Sequence, residues 1–221
     1  MNYELPLVMV SNLNRLGTRL NKQYPNRIGL LLSPGGWADP LGLPYALDNG
    51  RFTVWSRGKK YDEAKFWKHL RRAQKIHAPL WLAVPDVVAN RLATIDEYLH
   101  WAPKLTTLGW PLALVVQDGM TICDVQSLTP QPSVVFVGGT TKWKWRTIRH
   151  WCRNFTHVHV GRVNGYHSLW AAQYAGASST DGTGWYYHKQ LIALNKYLSR
   201  SSLGKRENDL PSLEILQRPF K

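Results

Sequence analysis

The sequence contains little cysteine, no long apolar run and few acidic residues, and each shortage excludes a class of protein. Cys123 and Cys152 are the only cysteines, so neither a disulfide framework nor a cysteine zinc site is expected. No 18 apolar residues follow one another, and the first ten residues contain no Lys or Arg. We therefore expect no membrane partner and no secretory signal, and a soluble protein of the reducing cytoplasm.

The shortage of acidic residues leaves a large positive charge. The chain has 28 Lys and Arg against 14 Asp and Glu, a net charge of +14, and a sequence pI near 10.0. Basic and aromatic residues alternate over 142–153, a composition that offers cations to phosphates and rings to unstacked bases. This charge predicts a nucleic acid as the partner. The predicted phosphate contacts are Lys142, Lys144, Arg146 and Arg149, together with Arg57, Lys59 and Lys60.

Short β-rich runs alternate with amphipathic stretches along the chain, which is typical of a parallel sheet with crossover helices. The predicted strands are Leu5–Val10, Ile28–Leu32, Tyr45–Asp48, Leu80–Val84, Leu112–Val116, Val134–Val137, His157–Val160 and Ser178–Asp181. The predicted helices are Asn12–Lys22, Asp62–Ile76, Thr94–Leu108, Trp143–Phe155, Tyr166–Ala175 and His188–Arg200. Segments 33–44 and 118–133 lack a helical period, so no helix is predicted in either.

Eight strands in about 200 residues predict an α/β fold, a single compact (β/α)8 barrel of the TIM type. A doubly wound open parallel sheet is the alternative, because periodicity does not reveal strand order. The barrel is expected over residues 1–200, followed by a tail over 201–221 whose apolar segment is Leu210–Leu216. The helix predicted from Thr94 carries a capping-box pattern with Glu97, and Gly109 is its expected stop.

Acidic, amide or glycine residues stand where five of the predicted strands end. They are Asp48, Asp86, Gln117, the pair Gly138 and Gly139, and Asp181. In a (β/α)8 barrel the active site is built at the C-terminal ends of the strands. These residues are therefore the predicted site, and the oligomeric state stays open.

Taken in order, six segments resemble the strand ends of the tRNA-guanine transglycosylase superfamily, including its relatives that place deazaguanines in DNA. The segments are 45–52 (YALDNGRF), 83–86 (AVPD), 115–119 (VVQDG), 136–139 (FVGG), 159–163 (HVGRV) and 180–182 (TDG). The resemblance implies that Asp181 is the nucleophile and that Asp48 does acid or base work. It also implies that Asp86, Gln117 and the backbone amide of Gly139, with Gly138 beside it, bind the base.

The resemblance implies an enzyme that breaks the N-glycosidic bond of a nucleotide. The family's Cys-x-Cys-x-x-Cys zinc module is absent, which favours DNA over RNA as the substrate and removal of a modified base by a DNA glycosylase. Such chemistry is compatible with modification of phage DNA or with phage defence. The alternatives are base exchange with an incoming deazaguanine, and a nucleic-acid-binding module without catalysis.

No cofactor is expected, and no metal. His157 and His159 alternate along a predicted strand, a spacing that metal sites use, but the sequence offers no third ligand beside them.

Overall fold

Eight parallel strands close into a barrel in the computed structural model, which describes residues 5–201. The strands are β1 (Leu7–Ser11), β2 (Ile28–Leu32), β3 (Tyr45–Leu47), β4 (Leu82–Ala83), β5 (Leu112–Val116), β6 (Val134–Val137), β7 (Val158–Val160) and β8 (Ser179–Gly182). Each strand pairs with the next, and β8 pairs with β1, where Asp181 lies opposite Met9. The (β/α)8 barrel is confirmed, and the open sheet is wrong because both edges are joined. The segment Leu210–Leu216 lies outside the described residues.

Helices surround this barrel. Within residues 5–201 they are α1 (Asn14–Gln23), α2 (Arg51–Ser56), α3 (Glu63–Ala73), α4 (Arg91–Leu105), α5 (Ile122–Gln126), α6 (Thr141–Asn154), α7 (Tyr166–Ala175) and α8 (His188–Ser201). The sequence pattern misses α2 and α5, since five- and six-residue helices are too short to show a helical period. None of the described helices has the length and apolarity to cross a bilayer.

The start of α4 differs from its prediction. The side chain of Asn90 caps the helix by accepting the amide hydrogen of Ala93 at 3.1 Å. Thr94 is buried inside the helix, and its hydroxyl donates to the carbonyl of Val87 and accepts the Val87 amide, both at 3.0 Å. The capping box predicted at Thr94 is therefore wrong, because this hydroxyl is used to fasten the loop before the helix.

Strand residues alternate between two cores, as the period of a β-strand requires. One set of side chains packs outward against the helices, and the other fills the barrel interior with Met9, Leu31, Ala46, Trp81, Ala83, Ala113, Val115, Val134 and Phe136. Two residues beyond Ala46 and Val115 the same inward face carries Asp48 and Gln117. The polar site therefore lies on top of an apolar barrel core.

Candidate active site

A cavity of about 650 Å³ opens at the C-terminal ends of the strands, within the size range of small-molecule sites. The structure brings six residues predicted from five strand ends to its walls. They are Asp48, Asp86, Gln117, Gly138, Gly139 and Asp181. Residues as far apart in the chain as 48 and 181 therefore share one site.

Asp181 is held from one side of its carboxylate. The residue is 5% exposed, and its Oδ1 accepts hydrogen bonds from His159 Nε2 and from the amide of Arg162, each at 3.1 Å. Because an ionised carboxylate only accepts, His159 Nε2 carries the hydrogen. Neither bond reaches Oδ2, which leaves that oxygen available to a reacting atom.

His159 contacts Asp181, and the sequence pattern does not predict this contact. Its ring lies inside the barrel, where Nδ1 is 2.8 Å from Ser179 Oγ, and it packs 4.5 Å from the ring of Phe136, centroid to centroid. His157 is exposed and lines a separate depression outside the carboxylate cavity. The alternation of the two histidines does not mark a shared site, and only the pairing of β7 with β8 reveals the contact with Asp181.

Asp86 is fixed by two side-chain amides. Its Oδ1 accepts from Asn49 Nδ2 at 2.8 Å, and its Oδ2 accepts from Gln117 Nε2 at 2.6 Å. Gln117 Oε1 in turn accepts the amides of Ala89 at 2.9 Å and Gly139 at 3.1 Å. Burial raises the pKa of Asp86 to about 6, although Asn49 and other neighbours act to lower it. The network gives the cavity a rigid polar wall.

The amides of the two wall glycines are already occupied. Gly138 donates to the carbonyl of Val116 at 3.1 Å, and Gly139 donates to Gln117. The Gly139 amide, which is predicted to bind the base, therefore already has a partner in Gln117, and its role in base binding stays a prediction. Glycine is required there for space, since a Cβ on Gly138 would lie 2.8 Å from Val115 Cγ1, and Gly139 has a φ of +64°.

Asp48 has the most perturbed carboxyl group of the cavity. Burial, with the charges of Asp181 and Asp86, raises its pKa to about 7, and the backbone hydrogen bonds of Gly50 and Asn49 act in the opposite direction. The residue keeps partial exposure to solvent. Asp48 can therefore give or take a proton near neutral pH, as a general acid or base must.

Arg162 is a second site residue without a predicted role. It has a φ of +58°, a conformation that side chains other than glycine adopt at a cost and that clusters at functional sites. This backbone aims its amide at Asp181, while its guanidinium donates to the carbonyl of Gly139 and lies 4.5 Å from the ring centroid of Phe52. Arg162 thus connects the nucleophile candidate to the cavity mouth.

Lys144 is buried and does not reach the protein surface. It is 1% exposed, and its Nζ donates to the carbonyl of Gly161 at 2.5 Å. Burial lowers its pKa to about 7, and the nearby charge of Arg162 acts in the same direction. The prediction that Lys144 binds a phosphate is wrong, because its face of α6 packs against the barrel.

The other predicted phosphate contacts are at the surface. Arg57 and Lys59 line the cavity mouth, and Lys60 is exposed directly after them. Lys142, Arg146 and Arg149 are exposed on α6 and are not among the residues that line the cavity. Arg149 lies about 12 Å along α6 from its first residue, at 1.5 Å per residue. Among the exposed residues predicted to bind phosphates, Arg57 and Lys59 are therefore the ones that lie at the cavity.

No family model matches this chain, and a search of curated proteins finds no match.

Proposed function

We propose that the protein breaks N-glycosidic bonds in nucleic acid, as a DNA glycosylase that removes a modified base. The observation that carries the proposal is one cavity with two carboxylates in contrasting surroundings. Asp181 accepts two hydrogen bonds at Oδ1, whereas Asp48 has a pKa raised to about 7. A pair of carboxyl groups placed in different surroundings is the usual machinery for cleaving a glycosidic bond.

The two groups divide the reaction between them. Asp181 Oδ2 attacks C1′, so that the C–O bond forms as the C1′–N bond breaks through an oxocarbenium-like transition state. Protonated Asp48 gives its proton to the departing base. Water then attacks C1′ of the ester and releases Asp181, while Asp48 takes the proton from that water. The products are a free base and an abasic sugar.

The Asp86 and Gln117 wall supports recognition of a planar base edge. Asp86 offers acceptor oxygens, and Gln117 Nε2 has a second hydrogen besides the one it donates to Asp86. Since no predicted backbone amide is free there, side chains make the polar contacts. A base with both donors and acceptors on its edge fits such a wall.

Base exchange is the second candidate, and the burial of Asp181 favours it. With only 5% of the residue exposed, a covalent intermediate on Asp181 is shielded from water. An incoming deazaguanine would then displace Asp181 from C1′ and give its proton to Asp48. The same residues serve both reactions, so the distinction is in what enters the cavity.

Mass spectrometry of released bases tests the proposal. Wild-type protein and Asp181→Asn are incubated with DNA and RNA of ordinary and modified composition, with and without added deazaguanine. Asp96→Asn, which changes an exposed carboxylate on α4, is the matched control and is expected to behave as wild type.

Release of one base without deazaguanine, lost in Asp181→Asn, supports the glycosylase. Release only with deazaguanine, accompanied by its incorporation, supports exchange. If no polymer loses a base, the enzyme proposal is overturned and a binding module takes its place. If Asp181→Asn releases a base as fast as wild type, the role assigned to Asp181 is overturned.

A further inference from the structure

Helix α2 exposes aromatic side chains at the mouth of the cavity. None of its six residues is buried, although Phe52 and Trp55 are among them, 40% and 57% exposed. Their ring centroids are 5.7 Å apart and the rings are tilted by 39°. Two large exposed rings that lie side by side are typical of a surface that binds a ligand or partner.

This aromatic pair is continuous with the cavity. Phe52 lines the cavity wall, and the Arg162 guanidinium lies over its ring. Asp48 precedes Phe52 by only four residues. A ligand that fills the cavity therefore lies against Phe52.

Three cations follow the rings. Arg57, Lys59 and Lys60 are exposed at the end of α2 and just beyond it. None of the salt bridges within residues 5–201 uses these three side chains. We call Phe52, Trp55 and these three cations the α2 surface.

We propose that the α2 surface binds an unpaired nucleic-acid strand, with a base next to the target nucleotide stacked on Trp55 and Phe52. The phosphates of that strand contact the three cations. The proposal rests on the proposed function, because it takes the occupant of the cavity to be a nucleotide of the same strand. Stacking requires a base whose face is open, so the substrate is single-stranded or locally unpaired.

Rings and cations make separable predictions. A base stacked on an aromatic ring accounts for roughly a tenfold change in affinity or more, and the effect is insensitive to salt. Affinity falls as salt concentration rises, and each phosphate contact on a single strand increases the steepness of this fall, in log affinity against log salt concentration, by about 0.7. Three such contacts correspond to a slope of about 2.

Fluorescence anisotropy with labelled 12-nucleotide DNA and RNA strands, and with the matching duplexes, measures both effects. All variants are made in the Asp181→Asn background to prevent turnover. Trp55→Ala is expected to weaken single-strand binding about tenfold and leave the salt slope unchanged. The triple variant R57A/K59A/K60A is expected to make the salt dependence of affinity less steep by about 2.

Matched controls lie elsewhere on the surface. Leu99→Ala removes an apolar side chain that is 47% exposed on α4. The triple variant R71A/R72A/K75A removes three exposed cations in the last turn of α3 and just beyond it, at the end of the helix that faces the opposite end of the barrel. The first control is expected to leave affinity unchanged, and the second to leave the salt slope within about 0.5 of its starting value.

Unchanged affinity in Trp55→Ala, equal binding of duplex and single strand, or dissociation of an oligomer in Trp55→Ala would each overturn the proposal. Failure of the proposed function has a different signature. If wild type releases no base while Trp55→Ala still weakens strand binding, the proposed glycosylase is overturned and strand binding by the α2 surface is supported. If wild type releases a base and Trp55→Ala binds the strand as tightly as the protein with Trp55, the proposed function is supported and strand binding by the α2 surface is overturned.

Discussion

Replacing Asp48 by asparagine should make the protein increasingly more stable than wild type as the pH rises. The unfolded chain releases the Asp48 proton at a pKa of 3.8, whereas burial and the charges of Asp181 and Asp86 hold the folded value at about 7. Between these values the folded state binds more protons than the unfolded state, so wild-type stability falls with pH. The asparagine side chain has no proton to lose, and the variant escapes this penalty.

The magnitude follows from the two pKa values of Asp48. At about 1.36 kcal/mol per pKa unit, the penalty is about 1 to 2 kcal/mol at pH 5 and about 4 kcal/mol at pH 8. The advantage of Asp48→Asn in free energy of unfolding should therefore grow by about 2 to 3 kcal/mol over that interval. In urea this corresponds to a relative shift of the midpoint of about 1 M.

Urea unfolding at pH 5 and pH 8, followed by the fluorescence of the 11 tryptophans, measures this difference. Asp96→Asn on the outside of α4 is the control and is expected to show no growth of its stability difference. If the Asp48→Asn advantage is the same at both pH values, or is larger at pH 5, the account of the buried carboxyl cluster is refuted.

Further predictions concern the same cavity. Gly161→Ala should destabilise the protein by about 1 to 3 kcal/mol, because its Cβ would lie 2.5 Å from an aromatic carbon of the barrel interior and 3.3 Å from Asp181 Oδ1. Gly35→Ala should be tolerated, because its Cβ would meet nothing within 4 Å. Thermal unfolding compares the two variants. His159→Gln should lower base release while strand binding is kept, since it disturbs one of the two bonds that hold Asp181; equal rates of release would contradict this role. Base release should decline above about pH 7 as Asp48 loses the proton that it donates, and a rate that rises steadily from about pH 6 to about pH 9 would rule out that assignment.

Much of the barrel could be predicted because its signals are local. The bounds of β2, β5, β6 and α7 agree with their predicted ranges, since continuous apolar runs and a helical period are properties of neighbouring residues. The start of α4 could not be predicted in this way. Whether Asn90 or Thr94 caps the helix depends on the loop at Val87, which competes for the threonine hydroxyl.

The candidate site was predictable in its carboxylates and not in its supporting contacts. Polar residues at the ends of parallel strands must meet at one rim once the sheet closes, so Asp48, Asp86 and Asp181 could be grouped from the sequence. Lys144 shows the limit of this reasoning. Its place in a basic, aromatic run predicts a surface cation, yet its position on α6 turns the side chain inward to Gly161.

The sequence by itself determined the eight strands and six of the helices along the chain, the positive charge and the strand ends at which the carboxylates stand. Only the tertiary structure decided which of these groups touch. The contacts of His159 with Asp181 and of Gln117 with Asp86 join residues 22 and 31 positions apart, and they depend on strand register and on the closing of the barrel. The proton affinity of Asp48 was decided there too, because desolvation and repulsion arise only when three separate strand ends enclose one cavity.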